Sequence, residues 1–132
     1  MASVHLDIGI NAPADAVWSA LASTGEAHKI FAPVLSGCRL ESADVRIATF
    51  ANGMVVKERI IDVDADRMRI AYAVIESAFV HHNASMQVVA ADDGTCRFVW
   101  TADLLPHAAI DDVGPLMRAG ALALKQNMES AL

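Results

Sequence analysis

Between Gly37 and Leu104 turn signals recur at nearly regular spacing: Ser42-Ala43-Asp44, Asn52-Gly53, Asp64-Ala65-Asp66 and Asp93-Gly94. Such punctuation produces a run of hairpin-linked strands. Asn52-Gly53 is the strongest of these signals, because both central positions of a type I′ turn need positive φ. A meander of this kind has one face to bury, and something must cover it. After Pro106 the pattern becomes helical: Val113, Leu116, Met117, Gly120, Leu124 and Met128 recur at three- and four-residue spacing. Asp111 and Asp112 suit a helix N-terminus through the dipole. This helix would run about twenty residues, or about 30 Å at 1.5 Å per residue, enough to cross a whole sheet.

Ahead of the meander, Val4, Leu6, Ile8 and Ile10 alternate with polar residues and Gly9, the period of a half-buried strand. Asn11 or Ala12 would cap a first helix, with Pro13 in its first turn. Val17, Trp18 and Leu21 give that helix an apolar face. Thr24-Gly25-Glu26 reads as its end and the start of a second short helix, which Pro33 stops near Phe31. The expected order is β-α-α-β6-α, an α+β fold with a curved antiparallel sheet of about seven strands around a long C-terminal helix. No repeat, low-complexity segment or linker divides the chain, and residues 1–132 read as one domain.

Alternation then sorts the faces. Lys57 and Arg59 should meet water, while Met54, Val56, Glu58 and Ile60 face inward. Glu58 is thus a carboxylate on an apolar face, which requires a partner, trapped water or a proton. Arg46 or Arg69 could pair with it; a shifted register would instead turn it outward. On the next strand Arg67 and Arg69 face out and Met68, Ile70, Tyr72 and Val74 face in. The Tyr72 hydroxyl needs a partner and could meet Glu58 across the hairpin. Ala84, Met86 and Val88 share a face. On the last strand Cys96, Phe98 and Trp100 oppose Arg97, Thr101 and Asp103, unless a bulge at Val99 reverses them. Ser77 to Asn83 reads as a long loop whose Phe79, Val80, His81 and His82 suit a lid over a cavity. Small or flexible residues (Ala84, Met86, Ala119, Gly120, Ala123) and an aromatic content of only 5% suggest that the curved sheet does not fill its interior. The alternative is that methionines close the gap.

Charge and motifs exclude several functions. A net charge of −6, with the 10 basic residues scattered, argues against nucleic acid. No apolar run reaches the roughly 18 residues of a membrane span. Met1-Ala2-Ser3-Val4-His5 lacks the basic and apolar regions of a signal peptide, so a cytoplasmic location is expected. Cys38 and Cys96 read as buried thiols rather than a disulfide. His81 and His82 point to opposite sides of an extended segment, and His5, His28 and His107 sit on separate elements, so no metal site is expected. No nucleophile motif or Gly-rich phosphate loop appears, and no cofactor is expected.

In order and spacing the chain resembles the START/Bet v 1-like (SRPBCC) superfamily with its helix-grip fold, within it the bacterial polyketide cyclase/dehydrase-like branch. The features that carry this are Ala12-Pro13 before Val17-Trp18, Phe31-Ala32-Pro33-Val34, and Asn52-Gly53 leading into Val56-Lys57-Glu58-Arg59. They continue with Asp62-Val63-Asp64, Tyr72, Asp93-Gly94, and Trp100 with Pro106 before the long helix. The resemblance implies a cavity between sheet and helix for a small hydrophobic molecule, with Glu58 pointing into it and the Ser77–Asn83 loop and Asn52-Gly53 turn gating it. Phe31 stands where the family commonly carries Trp. The family pattern also places Val99 and Thr101 inward, against the alternation that favours Trp100. Together these readings nominate Val56, Glu58, Tyr72, Val74, Phe79, His81, Met86, Trp100, Leu116, Ala119, Gly120 and Ala123 as ligand-binding. One function is ligand binding without chemistry. An alternative is a polyketide cyclase or dehydratase, in which positioning lowers the barrier and Glu58 serves as acid or base, with Tyr72 orienting it or donating to a carbonyl and His81 assisting from the lid. A third is an interaction module, such as a homodimer.

Overall fold

The computed structural model describes residues 2–131. The first strand, β1 (Ala2–Ile10), buries Val4 and Ile10 and exposes Ser3, His5, Asp7 and Gly9, as its alternation requires. Helices α1 (Ala14–Ala22) and α2 (Ala27–Ile30) follow, with a 3-10 turn at Thr24–Glu26 between them. The meander is β2 (Leu35–Leu40), β3 (Val45–Phe50), β4 (Val55–Asp64), β5 (Arg69–Ile75), β6 (His81–Ala90) and β7 (Cys96–Leu105). After a 3-10 turn at His107–Ala109, α3 runs from Ile110 to Ser130. The seven strands form one antiparallel sheet in the order β1-β7-β6-β5-β4-β3-β2, so that β1 closes beside β7. The expected helix-grip architecture is the one found.

Three local expectations are corrected. Pro13 occupies the N-cap of α1 in an extended conformation, in place of Asn11 or Ala12, and no side chain caps this helix. Asn52-Gly53 does not form a type I′ turn: only Gly53 has positive φ (+90°). Phe50 N–H donates to the Met54 carbonyl and Gly53 N–H to the Phe50 carbonyl, which makes a three-residue loop with Gly in the left-handed position. Finally, His81 and His82 belong to β6 rather than to a loop, which shortens the apolar crossing to residues 76–80.

The long helix covers the sheet with Val113, Met117, Gly120, Leu124 and Met128, all buried. At Gly120 the helix passes against the Trp100 side chain of β7: a Cβ there would lie 3.2 Å from Trp100 Cζ3. Its C-terminal half is tied down by polar contacts. Lys125 Nζ donates to the Gly9 carbonyl at 2.7 Å, and Asn11 N–H donates to Glu129 Oε2 at 2.8 Å. Asn127 Nδ2 donates to the carbonyls of Ile30 and Ala32, satisfying acceptors that the end of α2 leaves open. Cys96 is buried and Cys38 half-buried, and both are free thiols. Among the described residues no helix is long and apolar enough to cross a membrane, and no cluster of His, Cys, Asp and Glu has metal-site geometry.

Candidate functional site: an apolar cavity with a buried ion pair

The concave face of the sheet and the first half of α3 enclose a cavity with two lobes. The inner lobe is lined by Ala27, Phe31, Val34, Leu35, Ala48 and Met86, among others, with Gly120 from the helix. The outer lobe lies among Met54, Val56, Val74, Phe79, His82 and Val113. Phe50, Glu58, Tyr72, Trp100 and Leu116 line both. The space not filled by atoms is about 440 Å³ in the inner lobe and about 610 Å³ in the outer, open mouths included.

Strand register explains how the polar groups gather on an apolar floor. Arg46 pairs with Glu58 across β3–β4, and Glu58 with Val74 across β4–β5. Arg46, Ala48 and Phe50 share one face of β3 by the period of two, and all three line the cavity. Arg46 is the buried charged residue among those described, 5% exposed. Its Nε donates to Glu58 Oε1 at 2.7 Å, and its Nη1 donates to the Thr24 carbonyl at 3.2 Å. Burial works against the guanidinium charge, but the field and hydrogen bond of Glu58 outweigh it and hold Arg46 above its ordinary range. Glu58 Oε2 has no hydrogen-bond partner among the described residues.

Tyr72 is buried beside this pair, with the Arg46 guanidinium 5.5 Å from its ring centroid. Its hydroxyl does not bond to Glu58, as the sequence suggested; it accepts a hydrogen bond from Trp100 Nε1 at 3.1 Å. Ile60, not Glu58, pairs with Tyr72, and Glu58 pairs with Val74 two positions along the same face. Arg46 therefore orients Glu58. Burial, reinforced by the Glu58 charge, pushes the Tyr72 phenol well above its ordinary range, so it stays protonated. Trp100 is inward with Cys96 and Phe98, and its ring lies 5.8 Å from that of Phe31. Alternation along β7 holds, and the inward placement of Val99 and Thr101 implied by the family pattern does not. Phe31, at the position where Trp is common, is part of the wall.

Of the nominated residues, Val56, Glu58, Tyr72, Val74, Phe79, Met86, Trp100, Leu116 and Gly120 line the cavity. The other three do not. His81 is exposed on the outer face and hydrogen-bonded to Asn83; since His82 lies on β6, its neighbour must point the other way. Ala119 is on the solvent side of α3, and Ala123 is buried in the packing beyond the cavity. Arg46, which the sequence offers only as a partner for Glu58, and His82, which it puts in the lid loop, also line the cavity.

The profile of a family described as polyketide cyclase / dehydrase and lipid transport matches residues 1–132. No curated protein matches the chain. Among solved structures, protein XoxI from Bacillus cereus superposes with a TM-score of 0.87 at 18% identity, covering 97% of this chain and 96% of that one. A START superfamily protein from Mycobacterium smegmatis gives 0.81 at 14% identity, over 98% and 99%. The di-domain ARO/CYC BexL, from the BE-7585A biosynthetic pathway, gives 0.82 at 20% identity; this chain is covered to 98% but spans only 47% of that protein. At these identities the superpositions speak for the fold. The profile match spans the whole sequence, and the chain belongs to the polyketide cyclase / dehydrase and lipid transport family.

Proposed function

We propose that this protein binds a small, largely apolar molecule in the two-lobed cavity and holds it by one polar station, the Arg46–Glu58 pair with the Tyr72 hydroxyl. The observation that carries this reading is the buried ion pair on the wall of an otherwise apolar space. Burying two charges opposes folding unless their mutual attraction and added hydrogen bonds repay it, and apolar residues of similar volume would often serve stability as well. A ligand hydroxyl or carbonyl that completes the bonds of Glu58 Oε2 or Tyr72 would give the pair a use that packing does not.

The test is a native mass of gently purified protein, followed by extraction and identification of what is bound. A defined apolar adduct that raises the melting temperature when added back is the expected result. An apo mass, with no thermal response to a panel of fatty acids, sterols and aromatic polyketides, would count against the cavity as a binding site.

Catalysis as a cyclase or dehydratase is a second reading, supported by one feature. A carboxylate oxygen without a protein partner and a protonated phenol share both lobes, so Glu58 could take a proton while Tyr72 donates one to a carbonyl. Glu58→Gln separates the two readings. Lost turnover with little change in affinity would support catalysis, and weakened binding with no turnover in either protein would support a carrier or sensor.

A further inference from the structure

His82 stands apart from the polar station just described. Ala73 pairs with Asn83 across β5–β6, so the next position along sets His82 beside Val74, which itself pairs with Glu58. Arg46, Glu58, Val74 and His82 thus form one row across four strands. Strands are spaced about 4.8 Å apart, so the backbones of Glu58 and His82 lie about 10 Å apart with Val74 between them. The His82 ring lines the outer lobe and is braced edge-on by Phe79, with ring centroids 5.3 Å apart at 81°.

The ring's hydrogen-bonding state follows from its surroundings. Nδ1 is shut away from solvent and has no partner. A proton there would be a buried donor without an acceptor, which is more costly than an unused lone pair, so the proton belongs on Nε2. The groups around it are His81 on its own strand, and Glu58 and Asp112, which line the same lobe from β4 and α3. Burial, with the neighbouring His81 adding to it, lowers its pKa to about 4, so at neutral pH the ring carries a single N–H.

We propose that His82 is a second polar station, offering its Nε2–H to an acceptor on the ligand, and that the ligand is an apolar body with oxygens at both ends rather than a single-headed amphiphile. This rests on the cavity being a binding site, and goes further by naming the pattern of groups the ligand carries. The inner oxygen meets Glu58 and Tyr72, Val74 underlies the apolar middle, and a carbonyl or ether oxygen at the outer end meets His82.

Three rigid probes test it by fluorescence titration or calorimetry: 6-acetyl-2-naphthol, with oxygens at both ends; 6-ethyl-2-naphthol, which lacks the outer one; and 2-acetylnaphthalene, which lacks the inner one. The expected result is that 6-acetyl-2-naphthol binds about tenfold tighter than 6-ethyl-2-naphthol, the contribution of about one hydrogen bond. His82→Leu should erase that preference, bringing the ratio of the two affinities to about one. His82→Gln, which restores an N–H donor, should recover part of it. Binding of the probes without preference, or a preference that survives His82→Leu, would overturn the role of His82 and leave the cavity reading standing. No binding of any probe would overturn both.

Discussion

At the scale of single residues, the chemistry of this protein rests on how Arg46 keeps its charge indoors. One carboxylate and one carbonyl hold it, so removing the carboxylate charge leaves a guanidinium buried without its counterion. Glu58→Gln should lower unfolding stability by about 3–5 kcal/mol in a urea titration, whereas the double replacement Arg46→Met with Glu58→Leu should regain most of that loss. A Glu58→Gln protein as stable as wild type would show that the pair is solvated. His82 makes a second residue-scale prediction. Its folded pKa of about 4 lies below the 6.5 of an unfolded histidine, so between those values the unfolded chain binds the extra proton and stability falls as pH drops. The melting temperature of His82→Leu should fall less steeply than that of wild type from pH 6.5 to 4; parallel profiles would mean that His82 titrates normally. Glu58, Tyr72 and Trp100 were legible because strand alternation is enough to place them. Arg46 carried the same signal, two residues from Ala48 and four from Phe50 on one face, but its anchor on the Thr24 carbonyl depends on a contact that no local pattern encodes. His82 is hidden in the sequence because the apolar, histidine-bearing start of β6 reads as loop, although counting back by twos from Ala84 points it inward.

At the scale of elements, the order of helices and strands was readable because each boundary carries a local cause: Pro33, Gly53, Gly94 and Pro106 all fall between elements. What alternation and turn composition could not supply was turn geometry. Asn-Gly is compatible with more than one hairpin loop, and the hydrogen bond between Phe50 and Met54 fixes a three-residue loop with one left-handed position. The consequence is testable at Gly53. A Cβ there would have nothing within 4 Å, so any loss in Gly53→Ala is backbone strain alone, about 1–2 kcal/mol, read as a lower urea midpoint at unchanged slope. No loss would mean that the loop adopts another conformation. The long helix shows the opposite limit. Its buried stripe was evident from spacing, yet Pro115 lies inside it, exposed. Proline has no N–H for the carbonyl four residues earlier, so the first turn of α3, which carries Asp112 and Val113 on the outer lobe, lacks one of its rungs. Helical periodicity outweighs this because the apolar stripe continues through it.

At the scale of the whole molecule, the sheet curves around a helix that supplies too little bulk to fill the space. Among the described residues Leu116 is the one helix residue lining both lobes, and Gly120 lets the helix approach Trp100 without adding volume. Unfilled apolar volume lowers stability, because the atoms lining it lose contacts that packing would give them. A cavity that serves only as slack in the packing should therefore be filled at no loss of function, while a cavity that holds a ligand should not. Leu116→Trp distinguishes the two cases. The larger ring should project into the space the lobes share, leaving the ligand-free protein about as stable as wild type, since overpacking strain of about 1–3 kcal/mol is set against recovered contacts. A ligand at 100 times its dissociation constant adds about 2.7 kcal/mol, which for a chain of this size raises the melting temperature by roughly 10 °C. Wild type should show that rise with an extracted ligand, or with 6-acetyl-2-naphthol at saturating concentration, and Leu116→Trp should not. If the plugged protein still responds in full, the ligand occupies some other surface, and neither the Arg46–Glu58 pair nor His82 can be what holds it.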